Sequence, residues 1–130
     1  MTLTREQIKS ASTRERDAMI AEQLMGWTNI HLFSYEVIED WVGLSPKVDP
    51  DCPLYVPHFS TRDNVVRLMS AKLKARQLLR SMVRYLLELL DPKGEMTHGE
   101  SMDALLDASP ELQVEAALYA LAEQEKEEGK

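Results

Sequence analysis

Apolar residues recur at helical spacing near both ends of the chain and through residues 61–90, and lose that spacing between Trp27 and Phe59. The run TRERDAMIAEQLMGW carries Ala18, Met19, Ala21, Leu24 and Met25 on a helical period and predicts a helix over 13–25. Thr4 with Gln7 and Ser12 with Glu15 are each a Ser/Thr followed three residues later by Gln/Glu, the pattern of a capping box. Residues 1–12 read as a lead-in to the helix. Gly26 suits the left-handed residue that closes a helix, and Trp27 is placed to pack back on the last turn. The next stretch, NIHLFSYEVIEDWVGL, is rich in β-branched and aromatic residues. It predicts a minor strand element after Trp27, although EVIEDWVGL alone suits one or two helical turns as well. Pro46, Pro50, Pro53 and Pro57 then make residues 43–59 an extended loop expected to run over the surface.

Ser60 with Asp63, or Thr61 with Asn64, opens the next helix, and no Gly or Pro follows until Pro92. Leu79, Met82, Val83, Leu86, Leu87 and Leu90 line one face, and Arg76, Arg80 and Arg84 fall four residues apart on another. An unbroken helix over 61–90 would be about 45 Å long at ~1.5 Å per residue, so a break near Ser70–Lys74 competes with a continuous rod. DPKGEMTHGE is a loop in which Asp91-Pro-Lys-Gly94 stops that helix, and Ser101 caps a short turn. Ser109-Pro110-Glu111 starts a last helix over about 110–124, with Val114, Ala117, Leu118 and Leu121 as its apolar stripe and residues 123–130 as a charged tail. The fold class expected is α+β, mainly helical, with about four helices in one domain spanning 1–130.

Charge alters this picture more than composition does. The 130 residues are 44% hydrophobic and 28% charged, ordinary for a globular protein, with a formal net charge of −7. Residues 1–60 hold 9 acids and 5 bases, residues 61–85 hold 1 and 7, and residues 86–130 hold 12 and 3. The net charges are therefore −4, +6 and −9, a basic segment between acidic ends. The simplest account is that the acidic C-terminal third neutralises the basic segment, within the fold or across a homodimer. No apolar run approaches the ~20 residues of a membrane span, and MTLTREQIKS lacks a signal-peptide core. A soluble protein of the cytoplasm is expected.

Candidate chemistry is sparse. A single cysteine, Cys52, cannot form an internal disulfide, and His31, Cys52 and His58 do not have the spacing of a zinc site, so no metal or other cofactor is expected. Adjacent Glu39 and Asp40 would point to opposite faces of a strand, which spoils a general acid–base pair; Asp49 and Asp51 lie in the loop. With five glycines and no Gly-rich phosphate loop, catalysis is not expected. Two charged surfaces remain. Arg76, Arg80 and Arg84 form a possible nucleic-acid or self-association face, though only Tyr85 is there to stack a base. Asp103, Asp107, Glu111, Glu115 and Glu123 form an acidic surface that a basic partner groove would accept.

Three segments, AEQLMGW at 21–27, VPHFSTRDN at 56–64 and DASPELQVEAALYAL at 107–121, occur in an order and spacing that resemble the small phage ABA-sandwich proteins. Members of that family read as a helix ending in Met-Gly-Trp, a strand region with a tryptophan, a Pro-x-Tyr/Phe-Ser-Thr-Asp phrase opening a helix, and a final helix after Ala-Pro-x-Ala. Where the family has a β-hairpin with a Gly-Trp turn, this chain has KARQLLRSMVRYLLELL, which keeps a helical period. The resemblance implies a phage or prophage origin and no catalytic site, and it transfers no functional residue. The function expected is a non-catalytic one: binding and modulating a host protein or ribonucleoprotein complex, such as a CRISPR-type defence effector, inside the bacterial host. The alternatives are a nucleic-acid-associated regulator acting through residues 62–84 and a self-assembling structural accessory protein.

Overall fold

A computed structural model of the chain describes residues 3–46, 51–61 and 63–128. Six helices are present among them, where the sequence pattern suggested about four: α1 (Arg5–Ser10), α2 (Thr13–Gln23), α3 (Asp63–Ala75), α4 (Leu79–Leu90), α5 (His98–Leu106) and α6 (Pro110–Glu128). The added ones are short. Thr4 and Gln7 close a full capping box on α1, turning the expected lead-in into a helix. Thr97 and Glu100 do the same for α5, which starts before the turn expected at Ser101. α2 ends at Gln23, Gly26 takes a left-handed φ of 77°, and the Trp27 amide donates to the Ala21 carbonyl at 2.9 Å.

The segment after Trp27 forms strands, not helical turns. β1 (Thr28–Tyr35) and β2 (Ile38–Leu44) pair antiparallel across a two-residue turn, and β3 (Leu54–Tyr55) pairs with β2, giving the order β1-β2-β3. Glu36 in the turn adopts a φ of 53°, unusual for a residue with a side chain. Gly43 is required by close approach: a Cβ there would sit 2.8 Å from Ile30 Cγ1. The Pro-rich segment is not wholly a surface loop, because Val56 and Phe59 are each only 1% exposed and end up in the core. Asp49 lies outside the described residues.

The long middle helix is broken, and not near Ser70–Lys74. α3 stops at Ala75 and α4 starts at Leu79, with Gln77 at a left-handed φ of 60° between them. Without glycine or proline to mark it, this reversal was invisible to the pattern. Met69 and Leu73 of α3 and Met82 and Leu86 of α4 thereby reach one core. α6 runs on to Glu128, past the expected stop near 124. It packs against α1, α2, α3 and α4. Being so surrounded, it is buried from Ala116 to Leu121 and not along one stripe only, and Ala116, Ala117 and Ala120 let its neighbours approach closely.

Candidate functional site

The charged residues singled out in the sequence do not share one surface. Arg76 lies in the break between α3 and α4, where it donates to the Gln23 carbonyl at 2.9 Å and to Gln124 Oε1 at 2.7 Å. Arg84 on α4 pairs with Glu123 on α6 and stacks over the Tyr85 ring at 5.1 Å. Arg80 is exposed and makes no ion pair among the described residues. A basic stripe along one helix is therefore not formed. Among the acids, Glu115 pairs with Arg16 at 3.1 Å and Glu123 with Arg84, while Asp103, Asp107 and Glu111 are exposed. Glu111 accepts from Thr13 at 3.5 Å. Basic and acidic segments thus neutralise each other in part inside the fold.

Sequence reasoning missed the polar junction that ties α2 to the sheet. Arg14 donates to Asp17 at 2.8 Å, to Asp40 at 3.0 Å, and to the carbonyls of Val56 and Pro57 at 2.8 and 3.1 Å. Asp17 is fully buried and also accepts from the Ser60 amide at 2.9 Å and the Ser60 hydroxyl at 2.6 Å. Ser60, expected to cap α3, instead directs its side chain to α2. The i,i+3 spacing of Arg14 and Asp17 was the one sequence signal of this hub.

A second cluster fastens α1. Arg5 stacks over Tyr85 and Tyr119 at 5.1 and 5.2 Å, and the Leu3 amide donates to Glu125 at 2.8 Å. Leu3, Arg5, Tyr85 and Tyr119 border a groove of about 840 Å³ that also touches Glu123 and Lys126. Burial pushes the Tyr85 and Tyr119 hydroxyls above their ordinary pKa, so both stay protonated at neutral pH. The Arg84 hydrogen bond holds Glu123 below the ordinary 4.5. A depressed folded-state value contributes stability that is fully present above 4.5 and lost as pH falls through the lower folded value. Glu123→Gln is therefore expected to flatten the stability–pH curve between 4.5 and the lower folded value and leave the slope above 4.5 unchanged, as read by urea unfolding at stepped pH.

Neither this groove nor the smaller one of about 350 Å³ between α1, α2 and the sheet contains a histidine or cysteine. His31 Nδ1 donates to its neighbour Asn29's carbonyl at 2.9 Å, and Cys52 is exposed. Among the described residues no three His, Cys, Asp or Glu side chains gather as a metal-binding set. No described helix is long and apolar enough to cross a membrane.

The surface that stands out is the hairpin. Cross-strand register puts Leu32, Trp41, Gly43 and Leu54 on the face toward the helices, where Ile30 also packs, and His31, Phe33, Tyr35, Ile38, Asp40, Val42 and Tyr55 on the opposite face. On that outer face Phe33, Tyr35, Ile38 and Tyr55 are 41–61% exposed, Val42 is buried and Asp40 is held by Arg14, while Val37 at the turn is 98% exposed. Leu32, opposite Trp41 on the inner face, is nevertheless 48% exposed. Apolar residues of both parities in IHLFSYEVI were the available signal: a strand with one buried face alternates, and this one does not. No protein-family model, no curated protein and no solved structure matches the chain.

Proposed function

We propose that the protein is a non-catalytic binding module that docks on a host macromolecular complex, and that its contact surface is the outer face of the hairpin sheet. The observation that carries this reading is the exposure of Phe33, Tyr35, Ile38 and Tyr55 on one face. Several exposed aromatic and aliphatic side chains on one face cost solubility unless a partner covers them, and tyrosine and phenylalanine are the residues that anchor interfaces. The reading moves the contact from the helices to the sheet, because Glu115 and Glu123 are engaged with Arg16 and Arg84. Exposed Asp103, Asp107 and Glu111 then serve as charges that steer a basic partner. The resemblance to phage proteins makes a CRISPR-type effector the first complex to test.

The test is affinity capture from host lysate with and without nuclease, comparing the parent with a variant carrying Ile38→Ser and Tyr55→Ser. Both side chains are about half exposed, so folding should be unchanged. A nuclease-resistant protein partner recovered at least tenfold less by the variant supports the proposal. Equal recovery by both chains sinks it. Recovery that vanishes with nuclease would favour nucleic-acid contact instead, through the exposed Arg67, Lys74 and Arg80.

A further inference from the structure

β1 is an edge strand. Among the described residues its only strand partner is β2, and from His31 to Tyr35 every residue is exposed. Natural edge strands are blunted by charge, proline or brevity. β1 carries no such charge or proline: TNIHLFSY is eight residues long with no Asp, Glu, Lys, Arg or Pro, in a chain that is 28% charged, and its one irregularity, between Thr28 and His31, leaves His31–Tyr35 regular.

The register shows which groups the edge offers. A two-residue hairpin closes on a hydrogen-bonded pair, here Tyr35 with Ile38, so Phe33 and His31 also bond to β2. Leu32 and Ser34 must then point their amides and carbonyls away from β2. The other side of β2 agrees: the Val56 amide donates to the carbonyl of Trp41, the residue opposite Leu32, so Trp41 directs its own groups toward β3.

We infer that this edge pairs with the same edge of a second copy of the chain, antiparallel about a two-fold axis at Phe33. The position of the axis follows from the strand. Register slips between Thr28 and His31, so the regular stretch is His31–Tyr35 and its middle is Phe33. About that axis Leu32 meets Ser34 of the second copy and exchanges both backbone hydrogen bonds with it, twice over by symmetry. Phe33 meets Phe33 as a non-hydrogen-bonded pair, the kind with the closest side chains, and His31 meets Tyr35. None of these contacts involves an Asp, Glu, Lys or Arg, so the acids behind the net −7 of each chain are not part of the seam. The nearest acids on β2 are engaged: Glu39 accepts from Ser34 Oγ at 3.3 Å, and Asp40 is held by Arg14. Two three-stranded sheets become one of six strands, and the two outer faces join into a single surface. The pairing needs no host partner, so its test is independent of the docking surface proposed above.

Sedimentation of the purified full chain over a series of micromolar concentrations is expected to show a monomer–dimer equilibrium. Ser34→Pro removes one outward amide and leaves the β1–β2 ladder intact, and should weaken the dimer at least about tenfold with an unchanged circular dichroism spectrum. Leu32→Lys, with its head group in water, should do the same and serves as the arbiter where the proline variant does not fold. In a Cys52→Ser background, Phe33→Cys should oxidise to a covalent dimer at least tenfold faster than Tyr35→Cys. A chain that stays monomeric at every concentration overturns the proposal. So does a dimer that survives Leu32→Lys, or cross-linking no faster at 33 than at 35.

Discussion

Asp17→Ala is expected to destabilise the protein by about 3–5 kcal/mol, because it breaks a buried ion pair and leaves the other partners stranded. The carboxylate is inaccessible to solvent and receives three donors: an Arg14 guanidinium nitrogen, the Ser60 amide and the Ser60 hydroxyl. Removing it leaves the Ser60 amide in a buried site without an acceptor, a penalty of roughly 1–3 kcal/mol by itself. It also takes from Arg14 the more buried of its two carboxylate partners. With a urea slope of about 1–3 kcal/mol per molar, the unfolding midpoint should fall by roughly 2 M with the slope preserved. Ser60→Ala keeps the backbone bond to Asp17 and should lose only about 1 kcal/mol. An Asp17→Ala chain within about 1 kcal/mol of the parent would contradict the hub.

Phe59→Ala should cost a comparable amount, about 3–5 kcal/mol, by a different route. Phe59 is the largest of the side chains left less than 2% exposed, and it plugs the core at the end of the Pro-rich segment. Truncation loses the transfer energy of the ring and leaves a cavity in a core whose other members, Met69, Leu73 and Leu118 among them, are fully buried and have little freedom to refill it. The two losses should not add. Phe59 is bonded to Ser60, so either substitution loosens the same corner, and the double variant should fall short of the sum by 0.5 kcal/mol or more. Urea unfolding of both single variants and the double variant closes that cycle. Full additivity would mean that core and hub are independent.

The placement of most helices was legible because periodicity and caps agreed, as for α2 with Ser12 and α6 with Ser109-Pro110. What escaped depended on contacts distant in sequence. The α3–α4 break rests on Gln77, a residue whose left-handed conformation no local rule predicts. The hairpin escaped a firm reading because Glu36-Val37 is not a turn-forming pair, and glycine or asparagine is the usual marker there. The acids and bases were legible as segment charges. Which of them meet was not, since Arg84 and Glu123 are separated by 39 residues and Arg16 and Glu115 by still more. The exposed hairpin face was partly visible as a failure of alternation. Its orientation away from the helices needed the register.

The central place of α6 has a consequence for how the chain is made. Four earlier helices bury their apolar faces against it, and the Leu3 amide bonds to a residue 122 positions later. During synthesis those faces emerge from the ribosome well before their common partner does, at ~5–20 residues per second. Until α6 arrives, α1, α2, α3 and α4 have no completed core to join, and only the hairpin, whose contacts are local, can form early. Folding is thereby held back until α6 has emerged, and the centre of the structure is supplied after its walls.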